Sequence, residues 1–183
     1  MISNSEEEEI LKFLESNIRT IPDFPKAGIQ FKDITPLLGN PLAVKHTAQL
    51  LVKPFLNQHI DFVIGMESRG FLFGPKLAMD LKAGFIPVRK PNRLPYKTVR
   101  SEYELEYGTD TVEMHEDALS SGARVVIHDD LIATGGTAGA AADLVKQLGG
   151  EVVGFSFIIE LSFLQGVQKL DKIASSHTLI KIG

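Results

Sequence analysis

The sequence predicts an α/β fold, a central and mainly parallel twisted sheet flanked by helices, with a small N-terminal lobe. Strand–helix–strand recurs twice, at 61–66/71–81/85–90 and at 124–130/137–148/151–161. Short apolar runs alternating with helical segments are the pattern of a parallel sheet covered on both faces. The 183 residues are 44% hydrophobic and include 11 Phe, enough for a substantial core within the usual size of one domain. Neither a repeat nor a composition break divides the chain, so residues 1–183 are expected to form one domain.

The elements follow in order. MISNSEEEEILKFLES opens a helix, with Ser5 as its cap, Glu6 to Glu9 in the first turn where the dipole favours negative charge, and Ile10, Leu11, Phe13 and Leu14 on one face. Residues 20–42, TIPDFPKAGIQFKDITPLLGNPL, are rich in Pro and Gly and read as irregular chain or a small appended lobe, not a long helix. Residues 43–58 read as helix, DFVIGM (61–66) as a buried strand, ESRG (67–70) as a turn, and FLFGPKLAMDL (71–81) as a helix despite Gly74 and Pro75. FIPVRK (85–90) is the next strand and 91–100 a loop. Tyr103, Leu105 and Tyr107 alternate with Glu102, Glu104 and Glu106, Gly108 to Asp110 signal a turn, and Thr111 to Met114 run back, which is a hairpin pattern. RVVIHDD (124–130) is a strand, Thr137 to Leu148 a helix closed by Gly149-Gly150, EVVGFSFIIEL (151–161) a long buried strand, and LIKI (179–182) an edge strand.

Composition excludes several function classes. A net charge of −4 argues against a general nucleic-acid binder, which carries a basic face. The absence of Cys removes disulfides and thiolate metal sites, and fits a cytoplasmic protein. The acidic N-terminus is unlike a signal peptide, and no apolar run is long enough to span a bilayer, so no membrane partner is expected. His46, His59, His115, His128 and His177 show no metal-binding spacing; His128, inside a strand, reads as a packing residue.

The richest stretch is HDDLIATGGTAGAAADL, His128 to Leu144. Ala133, Thr134, Gly135, Gly136 and Thr137 lead from a strand into a helix. Glycines let successive N–H groups turn inward and the helix N-terminus adds positive potential, which makes an anion site, with the Thr134 and Thr137 hydroxyls as further donors. A Walker loop would need Lys after the last Gly, and the dinucleotide spacing G-x-G-x-x-G is absent, so both of those readings fail. Asp129 and Asp130 sit one short turn before the amide cradle. Carboxylates repel phosphates but accept hydrogen bonds from vicinal hydroxyls. A ribose 5-phosphate satisfies both halves, its phosphate in the loop and its 2′- and 3′-hydroxyls on the acids. Both this turn and 67–70 lie at carboxyl ends of predicted strands, where ligands bind in open α/β sheets.

Val125 to Thr137, V-V-I-H-D-D-L-I-A-T-G-G-T, resembles the phosphoribosyl-diphosphate signature of the type I phosphoribosyltransferase family. Residues 22–38 (PDFPKAGIQFKDITPLL), 67–74 (ESRGFLFG), 87–95 (PVRKPNRLP) and 103–108 (YELEYG) are similar to the adenine-specific branch of that family, and the likeness runs from about Ile10 to Leu164. The resemblance implies the type I fold with a flexible β-hairpin lid. It implies transfer of adenine onto phosphoribosyl diphosphate, giving AMP and diphosphate, through an oxocarbenium-like state at the anomeric carbon. It also implies a homodimer, and Mg²⁺ held mainly by the substrate diphosphate rather than by a protein cage.

Site roles follow from the resemblance. The ESRG turn binds diphosphate through its amides and Arg69. Arg89 and Lys90 close a strand on opposite faces, so one of them faces the diphosphate directly, and the resemblance favours Lys90. Arg93 reaches in from the loop, where Asn92-Arg93-Leu94-Pro95 stands in place of the family's more frequent Gly-Lys-Leu-Pro. On the lid, Glu106 either manages the adenine proton or orients the base, and Tyr107 screens the sugar from water. Ile29, Gln30, Phe31 and Lys32 contact adenine, partly through main-chain groups; Phe31 either stacks on the base or packs in the lobe. Other bases (hypoxanthine, guanine, xanthine, orotate) are disfavoured by the LEYG and ITPLL strings. A regulator that senses phosphoribosyl diphosphate without catalysis lacks the DNA-binding module it would need.

Overall fold

The computed structural model describes residues 3–104 and 108–183. The chain divides into two compact units, Met1–Leu50 and Leu51–Gly183.

In the first unit, helix α1 (Asn4–Ser16) is capped by Ser3 rather than Ser5. Ser3 Oγ accepts from the Glu6 amide at 3.3 Å while the Ser3 amide donates to Glu6 Oε2 at 2.8 Å. Both serines stand three residues before a glutamate, so both fit the capping-box rule, and the earlier one gives the longer helix. Of the two readings of residues 20–42, the small lobe holds and the irregular chain does not. Strand β1 (Arg19–Pro22) pairs antiparallel with β2 (Gln30–Asp33), and α2 (Thr35–Leu38) follows. The corner is held by Asp33, which accepts from the Thr35 amide (2.9 Å), the Thr35 hydroxyl (2.6 Å) and Arg19 (2.6 Å). The two Thr35 bonds and then the guanidinium hold the Asp33 carboxyl down at about 2. Helix α3 (Pro41–Val52) begins two residues before the predicted start and ends six before the predicted end, where Lys53–Phe55 tighten into a 3-10 turn.

In the second unit, five strands form one sheet in the order β4-β3-β7-β8-β9, with every neighbouring pair parallel. They are β3 (Phe62–Met66), β4 (Gly84–Val88), β7 (Arg124–Ile132), β8 (Glu151–Leu161) and β9 (Ser176–Ile182). Helix α4 (Gly74–Leu81) joins β3 to β4, and α5 (Gly136–Gln147) joins β7 to β8. The two crossovers step in opposite directions from the centre, so right-handed connections place α4 and α5 on opposite faces. Helix α4 starts three residues later than the sequence suggests, because Pro75 belongs in the first turn, where its missing N–H is no loss. Val125, Ile127, Phe155 and Phe157 pack with Ala141, Leu144 and Val145 of α5 in the main core. On the other side Val126 packs with Phe55 and Ile60.

The hairpin is longer than predicted. Its strands β5 (Thr98–Glu104) and β6 (Thr109–His115) include three residues placed in the loop and two placed in the turn. Arg100 and Glu113 are cross-strand neighbours, with Arg100 Nε 2.7 Å from the buried Glu113 Oε1. That pairing extends β5 into a segment whose basic residues read as loop. A short helix α6 (Gly166–Leu170) sits on the β8–β9 connection.

Candidate active site

The sheet order reverses between β3 and β7, and in open α/β sheets the ligand crevice lies outside the carboxyl ends of the strands at such a switch. Both predicted ligand turns are there. After β3 comes Glu67–Gly70, with a cis peptide between Glu67 and Ser68 and a 3-10 turn at Arg69–Phe71. It lies against β7 so closely that a Cβ on Gly70 would stand 2.7 Å from the His128 carbonyl oxygen and 3.2 Å from Asp129 Oδ1.

After β7, Ala133 to Thr137 turn into α5. Gly135 holds φ +80° as the N-cap, a left-handed conformation suited to glycine, and no side chain caps the helix. The first amides of α5 therefore have no acceptor within the helix and point at whatever anion sits before it. A hollow of about 190 Å³ lies here, lined by Asp129, Thr134, Gly135, Gly136 and Thr137, with Phe157 at its floor. Gly166, a residue the sequence did not mark, closes the loop from behind. A Cβ there would lie 2.2 Å from the Ala133 carbonyl oxygen and 2.8 Å from the Gly135 nitrogen, and a Cβ on Gly135 would meet the Gly166 carbonyl oxygen at 2.9 Å. On the hairpin side, the Tyr103 ring leaves only 3.0 Å for a Cβ on Gly136.

The two acids lie within the strand, as read, but not at its very end, because β7 continues two residues further to Ile132 through its pairing with Glu160. Successive side chains on a strand alternate. Asp129 accordingly opens to the hollow, and Asp130 is buried with its Oδ2 3.1 Å from Arg69 Nε. That oxygen has an ionic partner but no aligned hydrogen bond, and it is closed to solvent. Burial first, then the charge of Asp130, push the Asp129 carboxyl well above the usual carboxylate range. Asp130 is also raised by burial, with Arg69 acting in the opposite sense. His128 is fully buried, Nδ1 donates to the Ser156 carbonyl (3.0 Å), and burial lowers its pKa to about 4, so the ring is neutral and structural.

The basic residues are held in two networks. Arg89 donates to both oxygens of Glu67 (3.2 and 3.0 Å) and to the Arg93 carbonyl (2.9 Å). Arg89, ahead of the opposing effect of burial, holds Glu67 below the usual range. Strand β4 stops at Val88, two residues before the predicted end, because Arg89 turns to bridge Glu113 on β6. Lys90 reaches Tyr103 and Asp110 on the hairpin instead of open crevice. Asn92 stands at φ +63° and donates to Glu113 Oε2 at 3.2 Å. Asn tolerates this conformation better than other residues with a Cβ, which accounts physically for Asn where the family more often has Gly. Asn92→Val is expected to cost about 1–3 kcal/mol and Asn92→Gly nearly nothing, measured by thermal melting.

In the first unit, Ile29 precedes β2, while Gln30, Phe31 and Lys32 lie on it. Strand β2 pairs with β1 as a two-stranded sheet among the described residues. Phe31 meets Phe24 edge-on at 5.1 Å, and Lys32 Nζ donates to Thr20 Oγ1 at 2.9 Å. Glu106 and Tyr107 lie outside the described residues.

A parallel sheet with an amide loop after one central strand, preceded by paired acids and faced by a basic turn, suits a phosphorylated sugar, and the family match makes the class that of the phosphoribosyltransferases. The family described as "Phosphoribosyl transferase domain" matches residues 33–178. The chain is 55% identical over 159 residues to an adenine phosphoribosyltransferase of Sorangium cellulosum, covering 87% of this chain and 80% of that one. Among solved structures, an adenine phosphoribosyltransferase from Rhodothermus marinus superposes with a TM-score of 0.92 at 54% identity, covering 96% of this chain and 99% of the other. Another from Saccharomyces cerevisiae, in complex with an imino-altritol bisphosphate and adenine, gives 0.87 at 41% identity, covering 94% and 99%. The chain belongs to the adenine phosphoribosyltransferase family.

Proposed function

We propose that this chain performs the salvage reaction of its family, adenine plus phosphoribosyl diphosphate giving AMP plus diphosphate. The observation that carries this reading is the shared hollow at the switch point, where the Asp129 carboxylate and the free amides of α5 face the same small space. A phosphorylated pentose has an anion for one end and hydroxyl donors for the other.

The roles then follow. The amides and hydroxyls of Ala133 to Thr137 take the 5′-phosphate. Asp129, which opens to the hollow, and Asp130, in the role the signature implies, take the ribose hydroxyls, fixing the ring while its anomeric carbon gains positive charge. The bond from that carbon to the diphosphate oxygen breaks, and its electron pair leaves on the diphosphate. Adenine N9 supplies the pair for the new bond and gives up its proton. Arg69, Lys90 and Arg93 stabilise the charge on the leaving group, while Arg89 works through the Glu67 and Arg93 contacts it maintains. The residues 29–32 read the base from the edge of β2, and Glu106 and Tyr107 keep the roles that resemblance implies for the adenine proton and for exclusion of water.

Mg²⁺ fits as a partner of the diphosphate. No group of three or more His, Asp or Glu among the described residues could hold a metal ion, and Mg²⁺ keeps its waters and takes phosphate oxygens readily. When bound it neutralises charge on the leaving group. We read both compact units as one transferase domain, since the family match at 33–178 crosses the boundary at Leu50. We also read the protein as a cytoplasmic homodimer. Light scattering should give twice the 20.1 kDa of one chain.

The deciding assay offers adenine, hypoxanthine, guanine, xanthine and orotate separately, each with phosphoribosyl diphosphate and Mg²⁺. AMP from adenine, with the other bases far slower, is the expected result. No AMP from adenine would sink the reading.

A further inference from the structure

Lys90 is occupied by the protein itself. Its Nζ donates to Tyr103 Oη at 2.8 Å and forms an ion pair with Asp110 Oδ2, and Tyr103 Oη donates to that same oxygen at 3.0 Å. Tyr103 and Asp110 face each other across the hairpin, and Lys90 Nζ stands 5.3 Å from the Tyr103 ring centre. Asp110 is fixed in turn, because its Oδ1 accepts from the Thr111 amide at 2.8 Å. The cation therefore sits among oxygens of one strand pair, one of them anionic, much as it would sit on a phosphate. The Tyr103 ring also lies against Gly136 of the phosphate loop, so this cluster borders the substrate site.

We propose that Asp110 is an internal competitor for diphosphate, holding Lys90 until substrate displaces it and taking it back when product leaves. The proposal rests on the reading of Lys90 as a diphosphate ligand. Asp110 and Tyr103 act through Lys90 and are positioning residues. The side chains of Lys90 and Asp110 are 39% and 31% exposed, so the pair is open enough to exchange partners. A partly exposed ion pair is worth up to about 1 kcal/mol, which limits the competition to about fivefold in affinity. The hairpin thus weakens diphosphate binding and so favours product release.

Calorimetric titration of the full chain with magnesium diphosphate, and separately with AMP, tests this. Asp110→Asn should bind diphosphate about fivefold more tightly, with AMP binding unchanged because AMP has no group at Lys90. Tyr103→Phe should move diphosphate affinity in the same direction by about twofold. A purely supporting role predicts the opposite sign, so weaker or unchanged diphosphate binding in Asp110→Asn overturns the proposal; should that variant fail to fold, unchanged binding in Tyr103→Phe does so. Lys90→Ala separates the two ideas. If it leaves diphosphate binding intact, the assignment of Lys90 fails and the proposal with it. If it weakens binding while Asp110→Asn does not tighten it, only the competition is wrong.

Discussion

Gly166→Ala is expected to lower kcat/KM for phosphoribosyl diphosphate by about 100-fold. The added methyl would sit 2.2 Å from the Ala133 carbonyl oxygen, and also against Thr134 and Gly135, so the backbone of the phosphate loop must retreat by an ångström or so. Amides displaced that far no longer converge on one phosphate. Binding separates this from a general loss of structure. AMP, which carries the 5′-phosphate, should bind much more weakly, whereas inorganic diphosphate should bind as before. Gly139→Ala is the control, since nothing lies within 4 Å of its Cβ position within α5. That variant should keep full activity and gain about 0.5–1 kcal/mol of stability from the better helix former. Unchanged AMP binding in Gly166→Ala would remove its role behind the loop.

Asp129→Asn should lower kcat/KM by between about tenfold and 100-fold, the cost of replacing a charged acceptor of a hydroxyl by a neutral one, and at the same time stabilise the free protein. The sign follows from linkage. Burial and the neighbouring Asp130 raise the Asp129 pKa in the folded chain above its unfolded value. The folded form then holds the proton more tightly, so this residue contributes nothing unfavourable below the unfolded pKa. It costs stability progressively as pH rises from that value through the folded one. Asn carries no such cost. The melting temperature of Asp129→Asn should thus match wild type near pH 4 and exceed it by a few degrees at neutrality, about 2–4 °C for each kcal/mol in a chain of this size. Taking the difference between the two proteins cancels carboxylates with the opposite shift, such as Asp33 and Asp110. A melting difference that does not grow with pH would contradict this account. The pairing of lost activity with gained stability is what a site holding two neighbouring charges out of water should show.

The sheet could be read from the chain because β3, β4, β7 and β8 each carry a compact apolar run, and β7 and β8 are rich in branched residues. What could not be read was set by partners distant in sequence. The β1–β2 pair is only four residues on each side and contains Pro22, so Pro and Gly nearby outweighed the strand signal. Strand β7 runs two residues past its acids because Leu131 and Ile132 pair with Ile159 and Glu160, which no local pattern announces. The same distinction divides the site. The amide loop and the acids are contiguous and carry their chemistry openly. Gly166 looks like an ordinary turn residue, and only its approach to Ala133, some thirty residues earlier, marks it as part of the loop. The engagement of Lys90 by Asp110 was invisible for a similar reason, since it depends on hairpin register.

The all-parallel order of the sheet has a consequence for how this protein comes to exist as an enzyme. Strand β3 carries the basic turn and β7 the acids and the loop, and they pair directly, Phe62 with Val125 and Gly65 with His128. More than sixty residues separate these partners, so their meeting carries the loop-closure cost of a distant contact and belongs to the slow part of folding. The hollow of Asp129 and the amide loop is built within β7, α5 and β8, but the basic turn joins it only through this distant pairing, so the crevice as a whole is a product of tertiary assembly and not of local structure.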